Sequence, residues 1–240
     1  MQRPFDPLYI LHAFPLLLKY LPVTLYVMLL TVLLGSVAGA VLARLSLCKN
    51  RFASGVSKTF VTVMRCTPSI VLLFIIYYAV PIIAKALFEI DLNRAGKSFF
   101  VIAALTLLFA AESSELMRAA FLSVDKGQEE AALSLGLRPS KVFLRIVLPQ
   151  AAVAALPPFC SALIALSKEG ALAFTIGLVD MMGQGTLLIA RAYGAYALET
   201  YIALAVLYWI LTIIIEKTFL TIEHFLSKGK ITVGGGSSLS

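Results

Sequence analysis

Between Leu21 and Leu47 the chain runs for 27 residues with Arg44 as its one charged side chain, enough to cross a hydrocarbon layer of about 30 Å as a helix. Apolar runs of similar character recur to about residue 222, and their recurrence decides the class of structure. In a lipid interior every backbone N–H and C=O must be satisfied internally, so repeated runs of this length imply a bundle of transmembrane helices. The composition agrees: 60% of the 240 residues are hydrophobic and 14% charged, against about 25% charged in an ordinary soluble domain. The fold class expected is all-α, an integral membrane protein.

The chain divides into three parts. Residues 1–19 are apolar but interrupted by Pro7, His12, Pro15 and Lys19, too short to span, and fit an interfacial segment on the outer side. Residues 20–222 form the membrane domain, with spans expected over about 21–47, 60–83, 99–121, 151–179 and 200–222. Pro68 removes a backbone donor and clashes with the preceding turn, so a kink or unwound segment is expected near Arg65. The fourth span is expected to be broken, because Lys168, Glu169 and Gly170 interrupt it. Residues 223–240, ending Gly-Gly-Gly-Ser-Ser-Leu-Ser, have linker composition and are expected to be a disordered tail.

Five spans put the two ends on opposite sides. Arg44, Lys49, Arg51, Lys58, Lys126, Arg138, Lys141, Arg145 and Lys217 gather beside one face, while the other carries a mixed set including Lys85, Glu89, Asp91, Arg94 and Lys97. The positive-inside rule then places the N-terminus outside and residues 124–150 in the cytoplasm. The net charge of +7 is explained by this topology, with no polybasic arm that would suggest nucleic acid. Cys48, Cys66 and Cys160 are scattered and show no metal-ligand spacing, so no metal site is expected.

Residues 124–150 are the longest charged interval. Asp125 suits a helix N-cap, with Gln128 placed to complete a capping box, and Gly136 suits a left-handed C-terminal stop. Pro139 suits the first turn of a second helix ending before Pro149. Ala131, Ala132 and Leu135 are expected on one face of the first helix, and Val142, Phe143 and Ile146 on a stripe of the second. Short helices with small and apolar residues fit insertion into a groove on a partner; the plainer alternative is packing against the bundle's end.

Four stretches, in order, carry a resemblance. Arg65-Cys66-Thr67-Pro68 with Tyr77-Tyr78 and Pro81 resembles an R-G-T-P…Y-Y-x-x-P segment; Glu115-Leu116-Met117-Arg118 with Gly127-Gln128 resembles an E-I-x-R…K-G-Q lead. Glu130-Ala131-Ala132, Gly136, Ile146, Leu148 and Pro149 have the order of an "EAA" loop, and Ser167-Lys168-Glu169 with Ile176-Gly177 resembles K-D-T-S-L…I-G. Together they resemble the transmembrane (permease) subunit of a type I ABC importer of the polar amino-acid uptake class, over residues 20–222. Cys66 stands where Gly is usual, Glu112 where an aromatic is common, and Glu169-Gly170-Ala171 replaces a D-T-S run.

The resemblance implies a five-span bundle whose cytoplasmic EAA coupling loop is gripped by a separate ATPase at Gly127, Glu130, Ala131, Ala132, Leu135, Gly136, Phe143, Ile146, Leu148 and Pro149. It implies two copies of that ATPase carrying ATP and Mg, a second permease subunit (a second copy or a sister chain), and an extracellular or periplasmic solute-binding protein. The function implied is alternating-access import of a polar amino acid or cystine-like derivative across the bacterial cytoplasmic membrane. The chain itself lacks a G-x-x-x-x-G-K-[ST] phosphate loop, so no cofactor is expected on it and it is not read as an enzyme.

A charge deep in a membrane faces an interior or a cavity and seeks a partner. Glu112, Glu115 and Arg118 share a helical face, and Arg118 is expected to pair with Glu115. Glu112 is expected either to hold an ammonium of the substrate or to pair with Arg65 or Lys168. Arg65, Thr67 and Pro68 are candidates for a carboxylate site, against a topology-setting arginine; Lys168 and Glu169 are candidates for the path, against mutual neutralisation. The competing function is a proton-coupled secondary transporter using Glu112 and Glu115. An intramembrane enzyme is disfavoured, since Ser167 and Lys168 are adjacent and cannot face each other.

Overall fold

The computed structural model describes residues 4–92 and 94–227. Among these the regular structure is helical throughout. A short helix α1 (Pro7–Leu18) leads into α2 (Leu21–Leu47); α3 (Arg51–Cys66) turns back, α4 (Ser69–Phe88) and α5 (Lys97–Leu122) follow. The loop after α5 holds α6 (Lys126–Ser134) and α7 (Pro139–Val142). The long α8 (Leu148–Glu169), α9 (Met181–Arg191) and α10 (Ala197–Ser227) complete the chain. Five helical stretches are long and apolar enough to cross a membrane: Leu21–Leu47, Ser69–Phe88, Lys97–Leu122, Pro139–Ile176 and Ala197–Leu226.

The central pair is α2 against α5. Small residues let their backbones approach: a Cβ at Gly35 would meet Phe109 Cδ1 at 2.8 Å, and one at Gly39 would collide with Ser113 Oγ. Close approach is the means by which membrane helices gain packing energy without a hydrophobic drive. Ser113 Oγ donates to Gly35 O at 3.2 Å across the pair. Phe109, Val101, Leu105, Leu163 and Leu166 lie in the core this pair forms with α8.

A second, smaller apolar cluster joins α1, α9 and the first turns of α10 through Ala13, Leu17, Met181, Leu188 and Leu204. Asp6 N donates to the buried Glu199 at 2.9 Å, and the rings of Tyr9 and Tyr196 stack at 3.7 Å. Residues 7–18 are thus a helix seated on α9 and α10. Asp180 caps α9, accepting from Gly183 N at 2.8 Å, and Met181 N donates to Thr24 Oγ1 at 3.2 Å, fixing α9 to α2.

Three expected boundaries are corrected. The second span starts at Ser69, not residue 60, because Thr67 and Pro68 are extended and separate α3 from α4. An arginine before this break has no continuous helix to ride through the bilayer; α3 instead folds back on α2, with Ser57 Oγ donating to Leu42 O at 2.8 Å and Ser54 Oγ to Ser46 O at 2.9 Å. The second loop helix does not end before Pro149: a π-helical turn, Phe143–Val147, passes directly into α8, with Leu148 N donating to Phe143 O. The wider turn relieves the clash that Pro149 would have with the carbonyl four residues back. Residues 223–227, expected to begin the tail, continue α10; residues 228–240 lie outside the described residues.

Candidate functional site: the coupling loop and a charged cluster at the helix breaks

The loop is built from local signals. Asp125 Oδ1 accepts from Gly127 N at 2.8 Å, and Glu129 stands in the first turn of α6, where a negative charge complements the helix dipole. At the other end Gly136 takes φ 80°, Leu137 N donates to Ala132 O at 3.2 Å and Gly136 N to Leu133 O at 2.9 Å. This pair of bonds is the Schellman stop, which wants glycine in the left-handed position. Gln128 does not close a capping box; its Oε1 accepts from Gln150 Nε2 at 2.6 Å instead, tying α6 to the start of α8.

The loop's apolar residues sort differently from the expectation. Ala132 and Val142 are buried where α6 meets α7, while Ala131, Leu133, Leu135 and Leu144 are exposed. Ala131 and Leu135, four apart, share a face; Ala132 is turned about 100° away and serves the loop's own interior. Phe143 lies 5.7 Å from the ring of Phe121, so the second helix is seated on the end of α5. Glu130 and Leu148 are exposed, and Ile146 and Pro149 border a cavity of about 530 Å³ with Gln128, Gln150 and Leu226. The outcome is an L-shaped element with an exposed leucine surface, joined rigidly to α5 and α8.

The second constellation gathers where two helices break. Thr67 Oγ1 donates to Val63 O at 2.8 Å, closing α3, and Pro68 is the N-cap of α4. Ser69, the first residue of α4, donates through Oγ to Glu169 Oε1 at 3.0 Å, and Glu169 is the last residue of α8. From Gly170 to Ile176 the chain narrows to a 3₁₀ segment that stops at Gly177, φ 82°. Glu112 lies in the electrostatic field of Glu169 and Arg65, and Glu115 in that of Arg118, Arg65 and Lys58. Arg118 forks onto Glu115, Nη2 to Oε2 at 2.7 Å and Nε at 3.1 Å.

Arg65 therefore lies within electrostatic reach of both Glu112 and Glu115, Glu169 lies within reach of Glu112, and Thr67 and Pro68 shape the backbone beside Arg65. Lys168 is exposed and makes no hydrogen bond or ion pair with Glu169 or Glu112 among the described residues; Glu169 is held by Ser69 instead. Ser69 was not singled out in the sequence, although a serine directly after Thr-Pro, at the point where a helix restarts, marks it.

The same architecture has known counterparts. Residues 31–217 match the family of binding-protein-dependent transport system inner membrane components. The chain belongs to that family. It is a multi-pass inner-membrane component, the membrane-spanning permease subunit of an ABC importer, and its five apolar spans suit that placement. The L-cystine transport system permease protein TcyL of Bacillus subtilis is 38% identical to this inner-membrane component over 233 residues, covering 97% of this chain and 96% of the relative. The arginine transport system permease protein ArtQ of the same organism is 32% identical, covering 88% and 93%. A crystal structure of an amino acid ABC transporter with histidines superposes with a TM-score of 0.80 at 27% identity, covering 93% of this chain and all of that one.

Proposed function

We propose that this inner-membrane component imports a polar amino acid, with L-cystine the first candidate, by alternating access, and that the charged cluster at the helix breaks is where the substrate is held in transit. The observation that carries this reading is the bond from Ser69 Oγ to Glu169 Oε1 at 3.0 Å. It joins the restart of α4 to the end of α8 beside Glu112 and Arg65, leaving carboxylates and a guanidinium around irregular backbone. Such backbone is tolerated at membrane depth where it lines a cavity, and opposed charges there suit a zwitterion: Arg65 for the carboxylate, Glu112 for an ammonium. The names of the relatives above support the substrate class.

In this reading the power stroke enters through the loop at 124–150. Two copies of an ATPase carrying ATP and Mg grip Gly127, Glu130, Ala131, Leu135 and their neighbours in this chain and in a second permease subunit. A solute-binding protein delivers substrate from outside. Nucleotide-driven closure draws the loops together and rocks the helices to which α6 and α8 are fixed.

The test is uptake into proteoliposomes containing this chain and its ATPase, with the solute-binding protein supplied outside. Radiolabelled L-cystine should accumulate only with ATP inside, and collapsing the proton gradient should leave the rate unchanged. Uptake without ATP that follows the proton gradient would overturn the reading.

A further inference from the structure

A cavity of about 700 Å³ opens between the outer ends of α4 and α5, and its walls combine two cations with aromatic rings: Lys85, Lys97, Tyr77, Tyr78 and Phe100. The aromatic wall is ordered by packing. The buried Phe100 meets Tyr77 edge-on at 5.3 Å, Tyr77 meets Tyr78 at 5.1 Å, and Tyr78 is 63% exposed. Lys97 Nζ donates to Gly177 O at 3.2 Å. That carbonyl ends the 3₁₀ segment which begins directly after Glu169. An ammonium has three donors, so this bond leaves two of Lys97's for another acceptor. Lys85 is exposed, and no hydrogen bond or ion pair joins its side chain to any group among the described residues. Among the described residues no acidic side chain lines the cavity.

The cavity also stands in line with the charged cluster. Ser69 and Lys85 lie 16 positions apart on one helix, so Lys85 sits about 24 Å outward of the bond to Glu169 along α4. Lys97, which lines the cavity, is bonded to Gly177 at the end of the segment that follows Glu169. A ligand leaving the outer face for the cluster has this pocket at the outer end of both α4 and the broken segment.

We infer that the cavity is an outer receiving site for the carboxylate of the incoming amino acid, with Lys85 and the remaining donors of Lys97 as its anion-binding groups and Tyr78 as its exposed wall. The inference rests on the import of an amino acid proposed above. The cations here match the same carboxylate that Arg65 takes in the inner cluster, so that end of the zwitterion passes from one cationic site to the next while Glu112 meets its ammonium only at the inner one. A concave pocket of this size suits a small ligand; the surface of a docking protein would not enter it.

The experiment uses the whole transporter in proteoliposomes, with radiolabelled L-cystine and its solute-binding protein titrated outside. Lys85→Glu should lower the maximal uptake rate about fivefold, while the binding-protein concentration giving half-maximal rate stays unchanged, and Lys85→Arg should retain the wild-type rate. Raising the salt concentration should shrink the difference between wild type and Lys85→Glu. A raised half-maximal concentration at an unchanged maximal rate would mean that Lys85 docks the binding protein, overturning the inference. Wild-type kinetics for Lys85→Glu would overturn it as well. Absence of L-cystine and L-arginine uptake by the wild type would instead remove the amino-acid reading on which it rests.

Discussion

Gln150 Nε2 donates to Gln128 Oε1 at 2.6 Å, across the corner where the loop between α5 and α8 enters α8. Gln150 also donates to Ile146 O at 3.0 Å, so one side chain fixes both α6 and the π-helical turn. The bond is on the surface, and its net contribution to stability is about 1 kcal/mol or less. Gln128→Ala should therefore leave folding and ATPase retention intact while loosening the link from loop to α8. Transported substrate per ATP hydrolysed in proteoliposomes should fall; an unchanged ratio would mean the link carries no mechanical load.

Gly136 holds φ 80° with open space where a Cβ would stand, so its constraint is conformational and not steric crowding. Placing a β-branched residue there costs about 1–2 kcal/mol. Gly136→Val should unwind the end of α6, displace Leu135 and Leu137, and release the ATPase during copurification. Gly136→Asn, which tolerates the left-handed region, should retain it. Equal retention in both variants would separate the stop from the grip.

Much of this loop was legible because its signals are local: Asp125, Gly136 and Pro139 each dictate a backbone state by their own chemistry. The Gln128–Gln150 bond was not, since the two residues lie 22 apart and a capping box was an equally satisfying use of Gln128. The split of Ala131 from Ala132 was hidden for a related reason. Helical spacing orders residues around an axis, but which side meets α7 depends on the angle set by Gly136 and Arg138. At the charged cluster, Pro68 made the break predictable, and the co-location of Glu112 with Arg65 was among the expectations. The capture of Glu169 by Ser69, over a separation of 100, needed the tertiary arrangement of α4 and α8.

The α2–α5 contact offers a stability test with an internal control. A Cβ at Gly39 would collide with Ser113 Oγ and stand 3.0 Å from Ala110 O, where backbone cannot yield. Gly39→Val should cost about 1–3 kcal/mol by overpacking and lower the thermal unfolding temperature in detergent. Gly55→Ala, with nothing within 4 Å of the added carbon, should be neutral or slightly stabilising through helix propensity. A similar unfolding temperature for both would mean that the helices adjust their separation freely.

The charged cluster separates structural from substrate-holding carboxylates. Glu115 is committed to Arg118 in a partly exposed pair within one helix, and such pairs contribute about 0.5 kcal/mol. Glu115→Gln should therefore change transport little. Glu112 makes no hydrogen bond or ion pair among the described residues, although it lies in the field of Arg65 and Glu169. If it holds an ammonium of the passing substrate, Glu112→Gln should lower substrate-stimulated ATPase activity about tenfold, the effect of losing roughly 1.4 kcal/mol. Basal hydrolysis and assembly with the ATPase should be unchanged. Ser69→Ala removes the donor that orients Glu169 and should give a smaller loss of the same kind. Normal stimulation in Glu112→Gln would move the substrate site away from α5, and a fall in basal hydrolysis as well would make Glu112 a structural charge.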